Sequence, residues 1–324
     1  MSTSSSKKIA ITLGDPNSIS PEIVIKSLNS LSLDSNRFVL IGNRAVFDYY
    51  KKHFDLCLDK DYEIVEIEYK DSDIKPSQET KEAGEFAFSA IKKACDLVKN
   101  GYVHSIVTAP ISKYALKLAG HLYSGQTEIV EKYIGRPNQK AQMLFVMGDI
   151  RVLLLTRHIA LRKVADSINK DLIISEIKNL NGSLKKHFKV KKPKLALCSL
   201  NPHAGENGMF GDEEIKEYYP AIKELENSGI LIDGPFPSDG LFMNLSKSLQ
   251  HGEKPYYDCY VASYHDQGLI PVKLLGMDCT VNTTIGLDVV RTSPAHGTAF
   301  DIAGKNIASE KSMANAIRLA LKML

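Results

Sequence analysis

The sequence lacks any apolar run close to the ~20 residues that a membrane-spanning helix needs. Its first apolar stretch, residues 9–13, is too short for the core of a secretory signal, and the segment before it is polar. The formal net charge is only +3, which is too small to indicate a nucleic acid or an anionic membrane as partner. The basic stretch at residues 185–194 has no motif around it, so we interpret it as a solvated helix end and loop. We therefore expect neither kind of partner.

The sequence also lacks the cysteine and glycine patterns of several common sites. Its five cysteines are scattered and form no C-x-x-C pair, which argues against a disulfide framework or a structural zinc site and favours a reduced, cytoplasmic setting. Residues 14–18 read GDPNS where a Rossmann G-x-G-x-x-G would follow the first strand. Residues 297–305 end in Gly-Lys, but their spacing does not fit a P-loop. The G-x-S-x-G elbow of serine hydrolases is missing too.

The apolar residues that are present predict an α/β chain. With 324 residues, 44% of them hydrophobic, the chain is long enough for two domains or one large one. Short apolar runs alternate with helical patterns, which is typical of a largely parallel sheet. The clearest helix covers residues 80–100, with alanines at three- and four-residue spacing and a glycine directly after it. The predicted strands are residues 9–13, 38–41, 105–108, 143–147, 152–155, 195–199 and 260–263.

Three histidines follow predicted strand ends. His158, His203 and His265 come shortly after the strands that end near residues 155, 199 and 263. Ligands of open α/β sheets bind outside the carboxyl ends of the strands, so these three imidazoles are expected to converge there. Three histidines with one open position make a catalytic divalent-metal site. Alternatively, each histidine only caps a strand or helix end.

Two further groups of residues fit an anionic substrate. Gln126 and Thr127 stand where a helix begins, with Thr127 as the expected N-cap, and the free N–H groups of a helix start can bind an anion. The alternative is a plain helix cap. Lys273, Asn282 and Arg291 follow the His265 turn. Lysine and arginine near a metal would hold a carboxylate or phosphate, although each one alone is more often a surface charge.

Longer motifs distributed along nearly the whole chain carry a family resemblance. They are GDP with PE at residues 14–22, VTAPISK at 107–113, GQTE at 125–128, His158, LNPHAGE at 200–206, DGP to Phe at 233–242, YHDQG at 264–268, RTS at 291–293 and HGTA at 296–299. In these motifs the chain resembles the 4-hydroxythreonine-4-phosphate dehydrogenases of pyridoxal-phosphate biosynthesis. The runs NPHAGE and YHDQG are highly specific together.

The resemblance implies a fold similar to isocitrate and isopropylmalate dehydrogenases, with two α/β domains and the active-site cleft between them. Residues 1–130 with 275–324 would form the cofactor-side domain, and residues 131–274 the metal, substrate and dimerisation domain. Metal ligands would be His158, His203 and His265, and substrate contacts Gln126, Thr127, Lys273, Asn282 and Arg291. Residues 296–305 look like the loop that wraps around the adenosine of NAD, with His296, Gly297 and Asp301 as cofactor contacts. The enzyme would be a homodimer whose active site is shared between subunits.

The reaction implied is the NAD- or NADP-dependent oxidation of 4-phosphohydroxy-L-threonine with the help of zinc, magnesium or cobalt. The β-keto acid product would lose carbon dioxide to give 3-amino-2-oxopropyl phosphate. Lys273 is expected to stabilise the resulting enolate or to transfer a proton. Asp266, beside a metal-ligand histidine, would orient that histidine or act as a base.

Two departures from the family pattern leave alternatives open. Asn17, Ser18 and Ser20 stand where glycines are usual, and Gln126 replaces a histidine. A glutamine donates a hydrogen bond but cannot become cationic. The nearest alternative is therefore a sister dehydrogenase acting on a phosphorylated four-carbon hydroxy acid of the threonate or erythronate 4-phosphate type. A three-histidine zinc hydrolase would need no nucleotide loop, and a non-enzymatic ligand-binding relative would not need the intact histidines.

Overall fold

A computed structural model describes residues 7–324. By its internal contacts the chain divides into two compact units, residues 1–141 with 281–324 (unit 1) and residues 142–280 (unit 2). The domain boundaries expected from the sequence, 130/131 and 274/275, fall inside helical segments of the structure. No helix within residues 7–324 is both long and apolar enough to cross a membrane.

Unit 1 contains a mixed sheet in the order β3-β2-β1-β4-β11-β10. Its strands are β1 (Ile9–Thr12), β2 (Phe38–Gly42), β3 (Glu63–Glu66), β4 (Ser105–Thr108), β10 (Val281–Ile285) and β11 (Arg291–Pro294). Neighbours pair in parallel from β3 to β11, and β10 pairs antiparallel to β11 with Thr284 opposite Arg291. The chain thus returns after residue 280 to add a hairpin beside β4.

Helices cover both faces of the unit 1 sheet. They are α1 (Ser20–Ser30), α2 (Arg44–Phe54), α3 (Lys81–Lys99), α4 (Lys113–Leu118), α5 (Gln126–Ile134) and α11 (Lys311–Lys322). Alternate residues of β1 point to opposite faces, as the pleat of a strand requires. Ile9 and Ile11 lie in one buried cluster with residues of α1 and α11, and Ala10 lies in another with residues of α3.

The predicted helix at residues 80–100 is confirmed as α3, and its ends show why it forms there. The Thr80 hydroxyl accepts a hydrogen bond from the backbone N–H of Ala83 at 3.1 Å, which satisfies one of the free donors of the first turn. Gly101 follows with φ 70°, the left-handed conformation that glycine adopts without a steric penalty.

The strands of unit 2 lie in the order β5-β6-β9-β7-β8. Its strands are β5 (Gln142–Met147), β6 (Ile150–Leu154), β7 (Lys194–Cys198), β8 (Leu231–Phe236) and β9 (Cys259–Ala262). The predicted pair β5 and β6 is confirmed as an antiparallel hairpin turned at Gly148, and β6, β9, β7 and β8 run parallel. Its helices are α6 (Val164–Ser167), α7 (Lys170–His187), α8 (Tyr219–Asn227), α9 (Ser238–Gln250) and α10 (His265–Gly276).

Candidate functional site

The predicted site residues fall on both units, and each unit is described by itself. On unit 1, Arg291 opens β11 and is only 3% exposed. Its Nε–H donates to the Thr108 hydroxyl at 2.8 Å. Burial lowers the pKa of the guanidinium to about 10, partly offset by the charge of Glu128. The side chain is therefore still cationic at neutral pH, in a place where a positive charge is poorly solvated.

Thr127 lies against the partner strand of Arg291. Its side chain is buried, and its hydroxyl is 3.4 Å from that of Thr284 on β10. Thr284 in turn is paired with Arg291 across the hairpin. The sequence therefore brings Thr127 and Arg291, which are far apart along the chain, to one place on unit 1.

The prediction that Thr127 caps its helix is wrong. Helix α5 begins at Gln126, and its N-cap is Gly125, whose φ and ψ are close to 180° and which has no capping side chain. Thr127 is thus already inside the first turn, so its hydroxyl turns to Thr284 instead of to the backbone. The free N–H groups of this helix start remain a feature suited to an anion.

Gln126 uses one end of its amide and leaves the other open. Its Nε2 donates to the backbone carbonyl of Ala109 at 3.1 Å. Its Oε1 is buried and has no hydrogen-bond partner among residues 7–324. The Oδ1 atom of Asn282 on β10 is in the same condition. A buried acceptor without a donor costs about 1–3 kcal/mol, which a ligand supplying a hydroxyl or an ammonium group would recover.

The predicted cofactor loop is also part of unit 1. His296 donates from Nδ1 to the carbonyl of Gly297 at 3.0 Å, and its Nε2 is buried without a partner in the described chain. Gly297 and Asp301 are exposed. The loop is attached to other parts of the unit, because Thr298 accepts a backbone hydrogen bond from Ile19 at 3.2 Å.

On unit 2, two of the three predicted metal ligands are neighbours. The rings of His158 and His265 lie with centroids 5.6 Å apart. The Nδ1 atom of His265 is 2.7 Å from the carboxylate of Asp266, which leaves Nε2 for another bond. A carboxylate on the far nitrogen of a histidine is the usual arrangement around metal-bound imidazoles. His158 is exposed, and the His265 side chain is 38% exposed.

His203 lies on a loop with an unusual backbone. From His203 to Asn207 every φ lies between 40° and 75°. Only glycine adopts this left-handed region freely, and each other residue there costs roughly 1–2 kcal/mol. His203 is exposed and packs near the Phe210 ring, with centroids 6.1 Å apart. Such a segment persists only where its surroundings hold it firmly, and it is often found at functional sites.

The described part of the chain contains no group of three His, Cys, Asp or Glu side chains in metal-binding geometry. The structure thus places His158 beside His265, and the ligand role of all three histidines stays a prediction. Lys273 is exposed on α10, seven residues after Asp266. Seven residues are close to two helical turns, so both side chains lie on one face of α10, about 10 Å apart along its axis.

Sequence reasoning missed residues that act through others. The Thr108 hydroxyl and the Ala109 carbonyl hold Arg291 and Gln126. Both lie in the VTAPISK run, so their motif was a usable signal. Glu214 is 1% exposed and accepts hydrogen bonds from the backbone of Leu200 and Asn201. Nothing in its local sequence, two glutamates at a helix start, distinguishes it from a solvated acid.

Comparisons with known proteins match nearly the whole chain to one family. Residues 9–320 match the family model described as pyridoxal phosphate biosynthetic protein PdxA. A 4-hydroxythreonine-4-phosphate dehydrogenase of Bacteroides thetaiotaomicron is 38% identical over 97% of this chain and 88% of its own length. A D-threonate 4-phosphate dehydrogenase of Pectobacterium atrosepticum is 39% identical over 98% of this chain and 99% of its own.

Solved structures agree as well. The crystal structure of a 4-hydroxythreonine-4-phosphate dehydrogenase from Klebsiella pneumoniae superposes with a TM-score of 0.84 at 35% identity, covering 98% of this chain and 99% of the other. A terephthalate 1,2-cis-dihydrodiol dehydrogenase from Burkholderia xenovorans is more distant, with a TM-score of 0.66 at 28% identity and 98% coverage of both chains. The expected α/β fold is therefore confirmed, and the chain belongs to the PdxA family of enzymes of pyridoxal phosphate biosynthesis.

Proposed function

We propose that this enzyme oxidises 4-phosphohydroxy-L-threonine with NAD or NADP and releases carbon dioxide from the β-keto acid, leaving 3-amino-2-oxopropyl phosphate. The observation that carries the proposal is the buried cation of Arg291 in a chain that belongs to the PdxA family. Arg291 is paired with Thr284, whose hydroxyl lies beside that of Thr127. A buried guanidinium needs a counter-charge, and Glu128 compensates only part of the effect of burial. The phosphate or the carboxylate of this substrate would supply it through two parallel hydrogen bonds.

His158, His203 and His265 are the residues we assign to a divalent metal ion. The adjacent rings of His158 and His265 and the carboxylate behind His265 support this assignment. A set of imidazole donors suits zinc or cobalt better than magnesium, which prefers oxygen ligands. When bound, such an ion supplies Lewis acidity that eases loss of the proton from the substrate hydroxyl.

The nicotinamide cofactor is assigned to residues 296–305. With Nδ1 donating to Gly297, the neutral imidazole of His296 has an acceptor at Nε2, and that acceptor is buried without a partner in the described chain. A ribose hydroxyl or an adenine amino group would satisfy it. When bound, NAD or NADP accepts the hydride. The exposed Gly297 leaves the backbone open to close approach.

Roles for the remaining side chains follow from their placement. Lys273 would stabilise the enolate left by carbon dioxide or deliver a proton to it. Asp266 would orient His265 through its 2.7 Å contact. Asn282 would accept a hydrogen bond from the substrate with its unpartnered Oδ1.

We also propose a homodimer whose active site is shared between subunits. Around the His203 loop, the exposed apolar side chains of Met209, Phe210, Ile215 and Tyr219 support an interface. Sedimentation at assay concentration tests this, and an active monomer would rule it out.

The second candidate substrate is D-threonate 4-phosphate, with a hydroxyl in place of the amine. Gln126 in place of a histidine and the Pectobacterium relative favour it. The deciding assay follows NADH formation with each synthetic substrate at equal concentration, with zinc or cobalt present. A kcat/KM at least tenfold higher for the amino substrate supports the first candidate, and the reverse ratio supports the second. Turnover of neither would overturn both. A zinc hydrolase has lost its support, because the relatives quoted above are named as dehydrogenases.

A further inference from the structure

The backbone just before the His203 loop is held by side chains instead of by a strand. Strand β7 ends at Cys198, and the next residue still pairs through Ser199 N–H and the Phe236 carbonyl at 2.8 Å. Beyond that point the backbone groups of residues 199–201 are bonded to the hydroxyls of Ser199 and Ser263 and to a pair of longer side chains, Gln267 and Glu214. We call this pair the loop clamp.

Gln267 joins the ends of two neighbouring strands. Its Nε2 donates to the Ser199 carbonyl at 2.7 Å, after β7. Its Oε1 accepts from the Ser263 N–H at 2.7 Å, after β9. Each end of the amide thus replaces a sheet hydrogen bond that the diverging strands no longer make. Because Ser263 lies two residues before His265 and Ser199 four residues before His203, the amide sets the spacing of the two histidine segments.

Glu214 holds the same segment from another side. One carboxylate oxygen accepts from the N–H groups of Leu200 and Asn201, both at 2.8 Å, and the other accepts from the Asn201 side chain at 2.9 Å. The carboxylate is also close to Gly205, where a Cβ would lie 2.8 Å from it. A buried carboxylate with these backbone donors favours one loop conformation strongly.

The segment before His158 is hydrogen-bonded to Ser263 as well. The Thr156 hydroxyl, two residues before His158, donates to the Ser263 carbonyl at 2.8 Å. The Ser263 hydroxyl is 2.7 Å from the hydroxyl of Tyr218 and 3.2 Å from the Cys198 carbonyl. Tyr218 ends the π-helical turn that begins at Glu214. The strand ends before all three histidines therefore meet in one buried hydrogen-bond network.

We infer that Glu214 and Gln267 are positioning residues, which fix the left-handed His203 loop relative to the His265 segment of the same chain and so hold these two imidazoles in place for metal binding. The left-handed run from residue 203 to 207 is unfavourable by itself, so it needs such an external restraint. The inference rests on the proposed metal role of the histidines. It adds that metal affinity depends on two side chains that would not touch the ion.

The test uses the full-length protein with Glu214→Ala and Gln267→Glu. The second change is isosteric and places a carboxylate oxygen against the Ser199 carbonyl, so the fold is kept while one clamp bond is lost. Glu213→Gln is the matched control, because Glu213 is adjacent and, among the described residues, accepts from the Asn201 side chain and from none of the backbone groups of residues 199–201. Three quantities are measured: amide exchange of residues 199–201 in metal-free protein, the dissociation constant for Zn²⁺ or Co²⁺ by titration, and KM for NAD.

We expect both clamp variants to exchange these amides at least tenfold faster and to bind the metal about 10–100-fold more weakly, with KM for NAD unchanged. The control should resemble the unmodified protein in all three measurements. Faster exchange with metal affinity within twofold of the original would overturn the positioning role. Unchanged exchange in both variants would overturn the clamp itself. If the unmodified protein binds no metal, the proposed metal site fails, whereas the exchange experiment still decides whether the clamp exists.

Discussion

The candidate residues of the two units differ in their solvent exposure. On unit 1, Arg291 and Thr127 are 3% and 2% exposed. On unit 2, His158 and His203 are exposed. The buried polar groups of that region are instead the hydrogen-bonded groups around Ser263, at the ends of the strands that precede the histidines. Unit 1 therefore presents buried side chains, and single atoms of Gln126, Asn282 and His296 there lack a hydrogen-bond partner in the described chain. Unit 2 presents exposed side chains on a restrained backbone.

This difference indicates a division of roles. Buried groups without partners discriminate strongly between ligands, because a ligand lacking the matching group leaves them unsatisfied. Exposed imidazoles on a fixed backbone suit a metal ion, whose binding depends on the position of the donors more than on their burial. Changes on unit 1 should therefore alter KM and substrate choice, and changes on unit 2 should alter metal content.

The largest effect is expected for His158→Ala. Removal of one of three imidazole donors should release the metal and lower kcat by at least about a thousandfold, which corresponds to roughly 4 kcal/mol. Metal content after dialysis and kcat measured on the same sample check this. His251→Ala is the control, since His251 is an exposed histidine of unit 2 that contacts the Lys247 carbonyl. Full activity in a metal-free His158→Ala protein would contradict the metal assignment.

Arg291→Lys should have the next largest effect, on unit 1. Lysine keeps the charge but loses the bond to Thr108 and the fork that holds an anion at two points. We expect kcat/KM to fall about 100-fold, or roughly 2.7 kcal/mol, mainly through KM, with metal content unchanged. Arg136→Lys is a suitable control, because that arginine pairs with Asp288 at the surface of the same unit. Loss of metal from the Arg291→Lys protein would contradict the proposal that unit 1 binds the substrate and unit 2 the metal.

Gly297→Val tests the cofactor loop with a smaller effect. A Cβ at this position would meet nothing within 4 Å, and the residue does not have a left-handed φ, so the substitution should be tolerated by the fold. The branched side chain would nevertheless keep a dinucleotide away from the backbone. We expect KM for NAD to rise about tenfold, or roughly 1.4 kcal/mol, while the melting temperature and metal content stay the same. An unchanged KM would show that the cofactor binds elsewhere.

The sequence predicted what depends on local pattern, and less of what depends on distant contacts. The helix at residues 80–100 was predictable because its cap and its apolar face are local. The meeting of Thr127 with Thr284 was not, because it arises only when the chain returns to form β10. The same holds for Glu214, whose partners lie 13 and 14 residues away, just before the left-handed segment 203–207. The histidine positions were predictable because each follows a strand, whereas their mutual geometry depends on side chains that no spacing reveals.

The smallest effect is expected for Gln126→His. The Oε1 atom of Gln126, which has no partner in the described chain, can accept a hydrogen bond from a ligand throughout the neutral pH range, because an amide does not titrate there. KM for the phosphorylated substrate should therefore vary little between pH 6 and 8 on account of this residue.

A histidine at position 126 would be neutral above its ordinary pKa of ~6.5 and cationic below it. The variant should remain active, with KM falling about two- to fivefold as the pH decreases through that range if the ligand group nearby is anionic. If the group is instead an ammonium, KM should rise on acidification, because the two cations repel. Gln126→Ala serves as the reference without a side-chain acceptor. An unchanged KM in that variant would show that this segment only begins helix α5 and does not contact the substrate.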